Sequence, residues 1–148
     1  MARPLWTLFP VAAATIAGCD SGPGLSADAA TSVTPDCTIE PTFSSLHQRY
    51  FQPSCTFAAC HAVAGFSGLG LGRSVAHVNL VGVESVRAPG VLRVAPGDPD
   101  ASFLVHKIEG THGPEQGDLM PPGGDTPSAD DCRVRRVREW IERGAPDD

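Results

Sequence analysis

Two cysteines and a histidine fall within seven residues in CTFAACH, positions 55 to 61, of a 148-residue chain that has five cysteines. Thiols and an imidazole at this spacing admit three chemistries. Both sulfurs can add to the vinyl groups of a haem while His61 takes the iron. Cys55 and Cys60 can close a small disulfide loop. All three can form half of a metal site. Covalent haem attachment ordinarily places two residues between the cysteines, because cysteines three apart share a helical face. Here four residues intervene. At about 100° per residue, cysteines five apart on a regular helix diverge by about 140°. TFAA must therefore bulge or loop out if both sulfurs are to face one ring, and the small Ala58 and Ala59 permit it.

A haem iron held by histidine needs a sixth ligand, and a methionine thioether is the pairing used for electron transfer. The chain has two methionines, Met1 and Met120. Met120 lies in LMPPGG, where Pro121 and Pro122 restrict the backbone. A single methionine in a loop is ordinarily a gap-filler, so its weight comes from this rigid setting. His112, in the same loop, is a competing ligand. His47, His77 and His106 read as packed or surface imidazoles. Arg93 and Lys107 can pair with haem carboxylates, although solvated surface charge is the ordinary reading for both. A zinc site fits poorly: neighbouring Cys60 and His61 seldom reach one tetrahedral ion together, and no second Cys/His pair completes the set. Cys–His nucleophilic catalysis fits less well still, since paired thiols outside the cytoplasm oxidise.

The elements that must position these residues are helices separated by Gly/Pro loops. Thr42 or Ser44 caps a helix through Tyr50, with Phe43 stapling its start. The glycine-rich GFSGLGLG cannot hold a helix and is expected to wrap closely around something. A short helix is expected over 74–81, then an extended segment and turn over 91–100 with Asp98 or Asp100 as cap. The spacing of Leu104 and Ile108 predicts a helix over 101–109, stopped by Gly110. Residues 111–127 form a long loop, a length usually reserved for function. The last helix is capped by Ser128, carries Val134, Val137, Trp140 and Ile141 on one stripe, and ends at Gly144 and Pro146. These signals predict an all-α domain.

Arg3 followed by the apolar LWTLFPVAAATIAG reads as a secretory signal over residues 1–18, too short and too Pro-broken to span a bilayer. Its end, Ile16-Ala17-Gly18-Cys19, resembles the lipobox of bacterial lipoproteins, which implies lipidation of Cys19 and anchorage to a membrane. Residues 19–36, rich in Ser, Ala, Gly, Asp and Pro, read as a flexible tether, and residues 37–148 as one folded domain. Four cysteines remain for that domain, with three possible pairings. If Cys55 and Cys60 hold a haem, Cys37 and Cys132 are left as a pair; if they do not, Cys55–Cys60 is a second disulfide beside the same pair. A net charge of −6 argues against nucleic acid as a partner.

FQPSCTFAACH, GLGLG, NLVGV, RVAPGDPDASFLVHKIEG, LMPPGG and VREWIERGAPDD together resemble the cytochrome c superfamily. The likeness is to the small cytochrome c-like domains of secreted proteins and lipoproteins in bacteria such as planctomycetes and myxobacteria. It covers most of residues 43–148, and the four-residue spacer departs from the family's pattern. The resemblance implies a small cytochrome c-like helical domain with packed terminal helices and one covalent haem c on Cys55 and Cys60. It further implies His61 as proximal and Met120 as distal iron ligand. It implies an electron carrier rather than an enzyme, exported to the periplasmic side of a bacterial membrane and meeting redox partners weakly and transiently. The alternative is a haem-free, disulfide-stapled lipoprotein module that binds a partner.

Overall fold

Thr42 stands in extended backbone, φ −117° and ψ 149°, and its hydroxyl accepts from the Ser45 amide at 3.3 Å. That cap starts the first helix where the sequence places it. The computed structural model describes residues 37–62, 68–123 and 130–148. The expected signal over 1–18, the tether over 19–36 with Cys19, and the expected cap Ser128 lie outside the described residues.

The first helix is longer than its sequence pattern suggests. α1 (Phe43–Leu46) passes into a π-helical turn (His47–Phe51), which continues as α2 (Gln52–Cys55). Pro53 is tolerated because it falls in the first turn of α2, where its missing N–H costs little. The wide turn carries His47, Tyr50 and Phe51 to buried positions. The helix therefore delivers Cys55 at its own C-terminus.

α3 (Ala76–Leu80) and α4 (Phe103–Glu109) follow. Between them the chain is extended, with isolated bridges pairing Val81 with Val94 and Glu84 with Leu92. No strand forms among the described residues, so the fold is helical, as the sequence predicts. Asp98 accepts from the Ala101 amide at 3.0 Å, but the residue at the N-cap of α4 is Ser102. Its hydroxyl accepts from the Ala95 amide at 2.9 Å and donates to the Asp98 carbonyl at 2.8 Å, tying the turn to the helix start. Gly110 ends α4 in the left-handed region at φ 71°, a conformation that favours glycine.

α5 (Cys132–Glu142) is capped by Asp131, whose carboxylate accepts from the Arg133 amide at 2.8 Å. Val134, Val137, Trp140 and Ile141 are buried along its apolar stripe. Trp140 packs on Phe43 with ring centroids 5.7 Å apart, and His77 meets Phe43 edge-on at 5.0 Å. The first and last helices thus share one core. Two further ties lock them together. Cys37 and Cys132 form a disulfide with Cα atoms 5.7 Å apart across a separation of 95 residues. Asp148 accepts from the Phe43 amide through its side chain at 2.7 Å and from the Ser44 amide through its backbone at 2.9 Å.

Candidate functional site

α2 ends at Cys55, and Thr56 leaves the helix at φ −98°, ψ 24°. The Cys60 amide then donates to the Phe57 carbonyl at 2.8 Å, and the His61 amide donates to the Cys55 carbonyl at 3.0 Å. Between those two bonds the spacer is extruded. Phe57 is 62% exposed, and Ala58 and Ala59 are exposed beside it. With Phe57 and Ala58 turned outward, Cys55, Ala59, Cys60 and His61 all border one cavity. The length of the spacer requires that loop-out, and the backbone supplies it.

The glycine-rich run wraps His61. Three successive carbonyls each meet a different side chain: His61 Nδ1–H donates to Leu69 at 3.0 Å, Asn79 to Gly70 at 2.8 Å, and His47 Nε2–H to Leu71 at 2.9 Å. The Leu71 amide returns a bond to the His61 carbonyl at 2.7 Å. With its proton held on Nδ1, a neutral imidazole carries its lone pair on Nε2, the arrangement a metal-ligating histidine needs.

The cavity has a volume of about 360 Å³. Cofactor and small-molecule pockets run from roughly 300 to 1,000 Å³. Phe51, Leu71, Leu80, Phe103 and Ile108 give it apolar walls, and Met120, Pro121 and Pro122 border it from the loop after α4. The Met120–Pro121 peptide is cis. All four residues expected to hold a haem, Cys55, Cys60, His61 and Met120, therefore line one cavity. Cys55 and Cys60 are not bridged to each other. Burial, reinforced by the neighbouring Cys60 sulfur, pushes the Cys55 thiol up to about 11.

His112 stands apart from these walls. Its ring nitrogens face the His106 carbonyl at 3.2 Å and the Gly117 carbonyl at 2.7 Å, so it braces the loop from within. Among the described residues no three His, Cys, Asp or Glu side chains gather into a metal-binding group.

Three further residues shape the cavity. Tyr50 borders it with its hydroxyl buried and without a hydrogen-bond partner; burial, with the Cys55 sulfur adding to it, pushes its pKa up to about 12. Arg93 borders it and donates to the Asn79 carbonyl at 2.8 Å. Lys107 is not the solvated cation its residue type suggests. It is 8% exposed, and its ammonium donates to the Gln116 carbonyl at 3.3 Å and also to the Asp118 carbonyl. Burial lowers its pKa, opposed by the Asp118 carboxylate and aided by Arg87. Helical spacing carried a signal for this placement: Lys107 follows the buried Phe103 by four positions and so shares its face. Neither Lys107 nor Tyr50 was marked by sequence as a core polar group.

Set against protein-family models, curated proteins and solved structures, the chain matches none.

Proposed function

We propose that this chain is a c-type cytochrome-like electron carrier of the cytochrome c superfamily, holding one covalent haem between Cys55, Cys60, His61 and Met120. One observation carries the reading. Residues from the end of α2, the wrapped segment and the loop after α4 meet in a single cavity of suitable size with apolar walls. The donor set fits the group: two unbridged thiols, an imidazole with its proton held at Nδ1, and a thioether set before two prolines. Tyr50 borders the same cavity, and its buried hydroxyl has no hydrogen-bond partner within the chain.

A haem held this way would supply one-electron redox chemistry, and histidine–methionine ligation raises its potential. The rest is the work of the chain. Cys55 and Cys60 fix the ring covalently. The Leu69 carbonyl orients His61. Phe51, Leu80, Phe103 and Ile108 exclude water, and Arg87 and Arg93 offer positive charge to carboxylates. On this reading the protein carries electrons rather than catalysing a reaction. With a lipobox-like Cys19 and an acidic composition, it is expected on the periplasmic side of a bacterial membrane, exchanging electrons with partners through small, transient contacts.

Mass spectrometry and a pyridine haemochrome spectrum of protein made with a cytochrome c maturation system test this. The expected product carries one haem through Cys55 and Cys60. Bare polypeptide with a Cys55–Cys60 bridge overturns it in favour of the haem-free, disulfide-stapled module.

A further inference from the structure

The loop that presents Met120 rests on a buried cation. Lys107, in the middle of α4, reaches this loop three times. Its backbone carbonyl accepts from the Met120 amide at 3.0 Å, and its ammonium donates to the carbonyls of Gln116 and Asp118. The intervening carbonyl, Gly117, is turned the other way and accepts from His112 Nε2–H at 2.7 Å. The carbonyls of Gln116, at the end of the turn Pro114–Gln116, and of Asp118 thus serve Lys107, and that of Gly117 between them serves His112. The stretch depends on Gly117, whose φ of 85° and ψ of −174° fall in a region essentially restricted to glycine. A Cβ there would lie 3.8 Å from the Lys107 ammonium. Lysine is almost never this buried unless its charge is paired and hydrogen-bonded, and here two carbonyl oxygens accept from it while the Asp118 carboxylate offsets its charge.

We propose that Lys107 is the positioning residue of the distal ligand: its ammonium, inserted beneath residues 116–118, fixes the loop so that Met120 borders the cavity. This rests on the haem reading for its consequence at the iron, but the clamp itself belongs to the polypeptide. Met120 reaches the cavity from a segment with no regular structure after the short turn Pro114–Gln116. Among the described residues the loop is otherwise braced by His112, which spans the His106 and Gly117 carbonyls, and by the reciprocal bonds between Gly113 and Gln116. Removing the ammonium leaves the Gln116 and Asp118 carbonyls without this donor, so that the backbone bond from the Met120 amide to the Lys107 carbonyl must hold residues 116–120 with less support.

The test is made twice, on the full chain with and without haem. In haem-free protein, Lys107→Met should speed amide hydrogen exchange across 116–120 by at least tenfold. Exchange in α1 and α5 should be unchanged. In haem-loaded protein the same variant should lose the sulfur-to-iron charge-transfer band and bind added imidazole at least tenfold more tightly, while its haem stays covalently attached. Unchanged exchange together with an intact band overturns the proposal. Should Lys107→Met fail to fold, Gly117→Ala, at an exposed site, perturbs the same carbonyls and must give the same two changes; if it gives neither, the clamp is refuted. Failure of wild-type protein to take up haem defeats the electron-carrier reading alone, because hydrogen exchange in the haem-free chain still decides whether Lys107 holds the loop.

Discussion

The His61 ring sits 3.0 Å from the carbonyl oxygen of Leu69, with Nδ1–H as donor. That bond couples the CTFAACH turn to the glycine-rich run and sets which ring nitrogen carries the lone pair. His61→Ala should remove this bond and cost about 1–3 kcal/mol of stability. In haem-loaded protein it should also convert the spectrum to a form restored by added imidazole. An unaltered spectrum would remove His61 from the iron.

Tyr50 is the single tyrosine of the chain, so tyrosinate absorbance reports on it alone. In folded, haem-free protein it should titrate near pH 12, against an ordinary value of 10.0. The sign follows from the raised value. The unfolded chain ionises first, so this contribution to stability is fully present below pH 10 and is lost as pH climbs to about 12. A native midpoint near the ordinary value would mean that the hydroxyl is wet.

The Cys37–Cys132 cross-link closes a loop of 95 residues. In the chain-entropy model a loop of that length stabilises by about 4–5 kcal/mol. Replacing both cysteines with serine should lower the urea midpoint accordingly without changing the helical content. An unmoved midpoint would show that the unfolded chain is already compact.

Asp148 supplies an anion and two acceptors to the first turn of α1. Asp148→Ala should cost about 1 kcal/mol, typical of a lost helix cap. Asp148→Asn should recover most of that, because the side-chain acceptor survives. Thermal unfolding of the two variants separates cap geometry from charge.

Local chemistry made much of the fold legible. Thr42 and Gly110 act where their types predict, and the stripe of Val134, Val137, Trp140 and Ile141 is buried as its spacing requires. The first helix was underestimated because its continuation to Cys55 depends on burying His47, Tyr50 and Phe51 in a wide turn, which helical periodicity does not encode. α5 starts after its cap, Asp131, whose carboxylate accepts from the Arg133 amide. At the cavity, the four chemically distinctive residues could be singled out by type alone. For Lys107 the sequence offered a partner for haem carboxylates and a helical spacing from Phe103, but its actual partners are backbone carbonyls of an aperiodic loop, which leave no mark in side-chain sequence. Tyr50 escaped for a related reason: its role is the lack of a partner.

Every residue that borders the cavity lies inside the ring closed by Cys37 and Cys132. A chain that loses its tertiary order with this bond intact cannot let positions 61 and 120 drift arbitrarily far apart. The ring keeps their effective concentration high, since confinement falls only slowly with loop length. If the chain holds a haem as proposed, recapture of a detached Met120 should therefore be faster in the oxidised protein than in the reduced one, even though neither cysteine of the bridge touches the cavity.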